Sequence, residues 1–395
     1  MPEAWWKERV FYQIYPRSFQ DSNGDGIGDL RGIISRLDYL KSLDVGAVWL
    51  CPVYDSPNAD MGYDIRDYEK IMAEFGTMED FDELLREMRR RCFDGRDCMC
   101  VGETSSVNTE NANSLVGDGR ELDLLFQFDL MDMDGEGSKW NAIPLDVPKL
   151  KRIVAAWQGA IDWNTLFLGN HDQPRVVSRF GDTSSEELWK RSAKCLATLM
   201  YLQRGTPFIY QGEELGMTNA PFETREQLRD VEELNLLALC SSEAELEWAW
   251  RGIKAKGRDN ARTPMQWSAG ENADFTTGEP WIMLNPNYTD INAEAEEGNP
   301  DSVLNYYRAL IALRNSTPAL LRGDWWELLP ESGQVVAYTR GLDGEEYAVL
   351  CNLSRESAPL PCRLGDFGEP VLSNMPADPA AETLRPYEAQ VLKKG

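Results

Sequence analysis

Histidine is nearly absent from this chain: His171 is the only one in 395 residues. Little general acid/base chemistry is then available outside the carboxylates. Basic residues are also short, with 40 Lys and Arg against 66 Asp and Glu and a net charge of −26. Nucleic acid and anionic membrane, which need clustered Lys and Arg, are disfavoured as partners. No apolar run approaches the roughly 20 residues that span a bilayer. The opening MPEAWWKERVFYQIYP lacks the charged and apolar regions of a signal peptide. Eight cysteines are too few for a disulfide scaffold. Cys51, Cys98, Cys100 and Cys351 lie in strand-like apolar runs, and Cys98-Met99-Cys100 has the wrong spacing for a zinc knuckle. Buried free thiols in a cytoplasmic protein are expected. What the chain does have is 42% hydrophobic and 27% charged residues, enough for a large core and against disorder.

Short apolar runs alternate with amphipathic helical stretches. Strands are expected at 10–16, 46–52, 98–103, 124–129, 165–171 and 206–212, and helices at 30–45, 78–91, 147–158, 185–203, 230–254 and 301–316. This alternation implies βα units and a parallel sheet. Six barrel-type strands are counted, whereas a closed (β/α)8 barrel needs eight. The polar and aromatic stretch 258–288 is too long to be idle loop in a compact domain. From 322 onward, alternating runs with turns predict a small antiparallel β domain. The expected domains are therefore 1–321 and 322–395.

An isolated His-Asp pair such as His171-Asp172 would read as a core histidine or a strand cap. Here two other apolar runs also end in carboxylates, at Glu103 and at Glu213-Glu214. Repeated termination of buried strands in polar chemistry is how an α/β barrel builds an active site. A second motif, DSNGDGIGDL (21–30), sets Asp21, Asn23, Asp25 and Asp29 at alternating positions of a Gly-rich loop. Oxygen ligands so spaced suit a hard cation, Ca2+ before Mg2+, and are favoured over an ordinary acidic turn. Position twelve is Gly32 and a strand precedes the loop, so it is not an EF-hand. In 58–77, Asp60 could bond sugar hydroxyls and Tyr63 could offer a flat face to a pyranose. In 258–267, Arg258 and Arg262 flank Asp259.

Taken together, WWKERVFYQIYPRSFQDSNGDGIGDLRGI, GYDIRDY, VGET, FLGNHDQPRVVSRFGD, GTPFIYQGEELGM, GRDNARTPMQWS and PWIMLNPNY resemble the α-amylase superfamily of glycoside hydrolases, in its oligo-1,6-glucosidase/α-glucosidase branch. The resemblance runs from residue 5 to the C-terminus. It implies a (β/α)8 barrel, with a loop domain after strand 3 and a C-terminal β domain. It also implies cleavage of terminal α-glucosides from short gluco-oligosaccharides with retention, by a monomer. Glu103 resembles the general acid/base. Asp172 resembles the carboxylate that clamps the sugar, with His171 beside it. Asp60 and Tyr63 would line the glucose pocket and Arg262 would close it. Asp21, Asn23, Asp25, Asp29 and the Ile27 carbonyl would hold Ca2+.

The pattern breaks between Arg91 and Cys98. The family's Asn-His strand end, its inserted domain and its Gly-Phe-Arg-x-Asp strand, whose Asp is the nucleophile, have no counterpart in this sequence. The expectation is a barrel short of about two strands, with two parallel edges unpaired, and an enzyme impaired for want of its nucleophile. The alternative is an inactive remnant that at most binds sugar weakly. A glucosidase-like subunit of a membrane transporter is disfavoured, since it would need an anchor.

Overall fold

The computed structural model describes residues 4–91, 99–104, 106–117, 120–360, 364–376 and 382–395. Among the described residues, eight strands lie in the first two thirds of the chain: β1 (Phe11–Ile14), β2 (Ala47–Leu50), β3 (Tyr54–Asp55), β4 (Asp67–Ile71), β5 (Val101–Glu103), β6 (Leu124–Phe126), β7 (Asn164–Leu166) and β8 (Gly205–Tyr210). β3 and β4 form a small antiparallel pair in the loop after β2. The other six are the barrel-type strands. β2, β1, β8 and β7 pair in that order, all parallel. β5 pairs with β6, also parallel. A hydrogen bond from the Thr165 hydroxyl to the Leu125 carbonyl (2.8 Å) ties β7 to β6. The arc therefore runs 2-1-8-7-6-5, and among the described residues β2 and β5 each have a strand on one side only. Among the described residues the fold is a (β/α)8-type barrel short of two strands, and the gap lies between β2 and β5.

The interior is filled rather than open. Phe11 and Phe208 stack at 4.8 Å, Trp49 and Phe126 at 5.1 Å, and Phe126 meets the edges of Phe167 and Phe208 at 5.0 and 4.8 Å. These rings come from or adjoin five of the six strands, as inward-facing barrel positions do. Each pair adds about 0.5–1.5 kcal/mol beyond its area burial.

Among the described residues twelve helices accompany the strands: α1 (Leu30–Ser35), α2 (Leu37–Ser42), α3 (Met78–Arg91), α4 (Val147–Ala160), α5 (Val176–Phe180), α6 (Glu186–Tyr201), α7 (Val231–Leu239), α8 (Glu243–Lys256), α9 (Asp259–Arg262), α10 (Ala293–Glu297), α11 (Val303–Ser316) and α12 (Pro318–Arg322). Their starts are written locally. Asp146 caps α4, with Pro148 in the first turn, and Ser185 caps α6. Thr77 and Asp80 bond each other's backbone at the start of α3, and Arg89, Arg90 and Arg91 sit in its last turn, where cations complement the helix dipole. Two expected helices are in fact pairs. The 30–45 stretch breaks at Arg36, which has non-helical dihedrals. The 230–254 stretch breaks at Cys240-Ser241-Ser242, because Ser242 and Glu245 form a capping box that starts α8 afresh.

The C-terminal strands are β9 (Asp324–Leu328), β10 (Val335–Leu342), β11 (Glu345–Asn352), β12 (Ala358–Pro359), β13 (Phe367–Ser373), β14 (Thr383–Leu384) and β15 (Ala389–Lys394). Five form an antiparallel sheet, β13-β15-β11-β10-β9, as the alternating pattern predicts. It packs on α6. The Tyr338 hydroxyl donates to the Leu199 carbonyl (3.0 Å), and buried Arg340 donates to the Leu202 carbonyl (2.6 Å). Cys51, Cys195 and Cys351 are buried free thiols. Cys100 is exposed, contrary to expectation, because it precedes β5 at the open end of the arc; Cys98 lies outside the described residues.

Candidate active site

The ladders are shorter than the apolar runs that mark them, and the surplus builds the site. β7 ends at Leu166, yet the run continues to His171 and Asp172, which turn over the carboxyl end of the sheet. Arg175 fixes that turn. Its buried guanidinium donates to the carbonyls of Gln211 (2.7 Å), Asn260 (3.1 Å) and Thr263 (3.2 Å), so the turn is tied to the end of β8 and to the α9 segment.

His171 is 1% exposed. Gln13, on β1, donates from Nε2 to its Nδ1 (2.9 Å), which leaves the Nε2–H facing Asp172 Oδ2 at 3.3 Å. Tyr63 stacks on the imidazole at 4.8 Å and 3°, and Tyr15 lies at 6.1 Å and 13°. Burial lowers the His171 pKa to about 4, against the pull of Asp172, so the ring is neutral near pH 7. It therefore stands beside Asp172 as a neutral, packed ring near pH 7.

Asp172 is clamped from the other side. Arg262 donates from Nη2 to Oδ1 (2.7 Å) and Arg258 from Nη1 to the same oxygen (3.3 Å). Burial alone would raise its pKa, but His171, Arg262 and Arg258 together hold it below the usual carboxylate range. The two guanidiniums also grip Asp230, with Arg258 Nε at 2.5 Å and Arg262 Nη1 at 2.8 Å from Oδ2. Arg258 reaches Asp60 Oδ1 at 3.4 Å.

Glu103 ends β5. Its side chain reaches solvent, yet crowding by neighbouring atoms desolvates it and the Asp172 charge opposes its ionisation, so its pKa rises. Both carboxylates also act on the Tyr63 hydroxyl. The structure thus brings Glu103, Asp172, His171, Tyr63, Asp60 and Arg262 to one end of the sheet. A carboxyl whose pKa is raised faces a carboxylate whose pKa is lowered, and such a separation lets one site combine acid and electrostatic roles.

Gln13, Tyr15, Arg175, Arg258 and Asp230 belong to this site but are not singled out for it by sequence reasoning. Arg258 had a signal, since it lies four residues before Arg262 in the motif already noted. Asp230 had none beyond marking a helix start; its role depends on contacts 28 and 32 residues away.

At the end of β8, Glu213 and Glu214 turn inward, away from the site. Glu213 accepts hydrogen bonds from the hydroxyls of Tyr201 and Tyr307 (2.9 Å for the latter), and Glu214 from Tyr12 and Tyr39 (2.7 Å each). Burial pushes the Glu213 pKa from 4.5 to about 7, against its tyrosine bonds. A carboxyl whose folded pKa is raised contributes stability below pH 4.5, and loses it as pH rises toward 7. The loss is on the order of 3 kcal/mol. Glu213→Gln is expected to flatten the decline in melting temperature across that window; an unchanged slope would assign the decline to other groups.

The loop 21–29 is a series of Asx turns. Asp21 Oδ1 accepts from Asn23 N (2.8 Å), Asn23 Oδ1 from Asp25 N (2.9 Å) and Asp25 Oδ1 from Ile27 N (2.9 Å). Gly26 has φ 89°, and a Cβ there would lie 1.8 Å from the Glu279 carbonyl oxygen, so only glycine fits. Asp29 accepts from Ser22 N (2.9 Å) and Gly32 N (2.7 Å), the latter capping α1. The donors are all hard oxygens, which suits Ca2+.

With the geometry in hand, comparison with known proteins is direct. The sequence model described as alpha amylase, catalytic domain, matches residues 13–94 and 86–323. The chain belongs to the α-amylase family. The match comes in two pieces that meet at 86–94, beside the break seen in the sequence. The oligo-1,6-glucosidase of Bacillus cereus is 36% identical over 560 aligned positions, covering 100% of each chain. The glucan 1,6-alpha-glucosidase of Streptococcus pneumoniae is 34% identical over 533 positions, covering 98% of this chain and 99% of the relative. Among solved structures, isomaltulose synthase from Klebsiella sp. LX3 superposes with a TM-score of 0.91 at 32% identity and full coverage of both chains. An alignment of 560 positions against 395 residues fits a segment missing from this family member. By family the protein is a glycosidase of the oligo-1,6-glucosidase type.

Proposed function

We propose that the site is that of an α-glucosidase, acting on terminal α-glucosides of short oligosaccharides by the retaining route, in a chain impaired by the absence of its nucleophile. The observation that supports this most is the meeting of Glu103 and Asp172, from different strands, within electrostatic reach of each other and of Tyr63. In this reading a terminal glucose lies against Tyr63, and Asp60 accepts one of its hydroxyls. Asp172, kept ionised by Arg262 and Arg258, accepts sugar hydroxyls and stabilises positive charge as it develops on the ring. Glu103, with its raised pKa, donates a proton to the glycosidic oxygen. Retention requires a further carboxyl about 5 Å from the acid, placed to attack the anomeric carbon. Asp172 is committed to the arginine clamp and does not take that place.

Titration calorimetry with isomaltose tests the reading: Asp172→Ala is expected to weaken binding at least tenfold, and undiminished affinity would remove Asp172 from the site. A remnant that only binds sugar is the second reading, favoured by an intact clamp beside an open edge. Residual hydrolysis that Glu103→Gln abolishes would decide for the enzyme.

The loop 21–29 is proposed to hold one structural Ca2+, through Asp21, Asn23, Asp25, Asp29 and the Ile27 carbonyl. Calcium is expected to raise the melting temperature and a chelator to lower it, because a ligand of the native state alone must stabilise it. No shift would count against the site. Among the described residues no helix is long and apolar enough to cross a membrane, and the buried thiols support a reducing cytoplasm. A monomer is proposed.

A further inference from the structure

Behind the arginine clamp lies a buried group of acids that the reaction does not use. One carboxylate oxygen from each of Asp230, Glu233 and Asp259 lies within 4.8 Å of the others, and all three residues are 0% exposed. Asp230 is fully engaged. Its Oδ2 takes Arg258 and Arg262, and its Oδ1 accepts from Arg258 Nη2 (3.2 Å) and Glu232 N (2.6 Å). The other two are each satisfied on one oxygen only. Glu233 Oε1 accepts from Asp259 N (3.0 Å), and Asp259 Oδ2 accepts from Arg229 N (2.6 Å) and Asp230 N (3.0 Å). Glu233 Oε2 and Asp259 Oδ1 are buried without a hydrogen-bond partner.

Two orphaned carboxylate oxygens in one dry cluster require an explanation. A bound cation would need Asp230, whose oxygens are saturated, and would sit beside two guanidiniums. Charge gives a simpler answer. Arg258 and Arg262 already balance Asp172 and Asp230. Ionising both Glu233 and Asp259 would leave two uncompensated negative charges among wholly buried groups, whereas one proton removes one charge and supplies the missing donor.

We infer that Glu233 is a positioning residue: its carboxyl carries a proton, donated from Oε2 to Asp259 Oδ1, and the bonded pair fixes the turn that holds Arg258 and Arg262 on Asp172. The inference rests on the proposed role of Asp172 only for its effect on sugar. Its geometry follows from the contacts above, since Glu233 holds the first amide of α9 and α9 carries Arg262. The groups acting on Glu233 are Asp259 and Asp230, which oppose its ionisation, and Arg262, which favours it; burial is the largest influence and raises its pKa to about 9. A carboxyl of this kind contributes stability below pH 4.5, and that contribution is lost as pH climbs toward 9.

Two variants and a spectroscopic measurement test this on the full chain. Glu233→Gln keeps the shape and places an N–H donor permanently toward Asp259. It is expected to abolish the part of the melting-temperature decline between about pH 7 and 9 that the native protein shows, above the range in which Glu213 contributes, and to keep isomaltose affinity within about threefold. Glu233→Ala, which lacks a donor, is expected to weaken isomaltose at least tenfold or to fail to fold. Near pH 8, where Glu213 is mostly ionised, Glu233→Gln should diminish the infrared carbonyl band of protonated carboxyls that the native protein shows. The melting and infrared arms involve no sugar, so they stand if the pocket proves to bind something else. The inference is overturned if Glu233→Gln leaves the infrared band undiminished, if it shows the native decline between about pH 7 and 9, or if Mn2+ or Ca2+ raises the native melting temperature in a manner that Glu233→Gln abolishes.

Discussion

Grafting the segment that longer relatives carry into this chain, between Arg91 and Cys98, is expected to raise hydrolysis of an aryl α-glucoside by several powers of ten, from a level barely above background. In the proposed reading Glu103 protonates the leaving group and Asp172 stabilises charge, but neither forms the glycosyl intermediate. Removing one member of a catalytic set leaves the acceleration due to binding and electrostatics alone. The graft supplies the carboxyl and also gives β2 and β5 their missing neighbours. In the grafted protein Glu103→Gln should return turnover to the starting level. Strong hydrolysis by the ungrafted chain, surviving removal of host glucosidases, would mean that another carboxylate serves as nucleophile.

The second large effect is on stability. Arg262→Ala removes a guanidinium whose side chain is 3% exposed and which bridges Asp172 and the wholly buried Asp230. Asp230 keeps Arg258 but loses one of its two cations in a place water does not reach. Breaking a buried pair in this way costs about 3–5 kcal/mol, measurable as a lower urea midpoint at constant slope. Arg262→Lys should recover little, because a single ammonium cannot span two carboxylates as a planar fork does. A midpoint unchanged by Arg262→Ala would show that Arg258 alone carries the clamp.

The strands and most helices were legible because their signals are local. Each apolar run ending in a carboxylate is one strand of the arc, and the Thr77–Asp80 cap and the arginine-rich end of α3 mark 78–91 to the residue. The break at Arg91 was legible as a missing motif, and the two-piece family match supports it. What sequence could not disclose are meetings across the fold. Nothing near Tyr63 says that it stacks on His171, 108 residues on, and nothing in a helix cap says that Asp230 anchors the arginines of the pocket. Long-range electrostatics decides those contacts, and a single sequence does not record it. The breaks at Arg36 and Ser242 were missed for a different reason: an apolar period can run on through a kink that one residue's dihedrals or one capping box creates.

The pairing of β1 with β8, which sets Phe11 against Phe208, bears on how this protein is made. A nascent chain displays β1 from the start of synthesis, but its partner emerges some two hundred residues later. Gln13 waits 158 residues for His171, and Tyr12 waits 202 for Glu214. Through most of its time on the ribosome the chain can form helices and the β1–β2 pair, yet it has neither a sealed core nor a site. The arc is completed late, when β8 reaches β1, which exposes apolar strands in the interval and makes protection of the unfinished chain a condition of its yield.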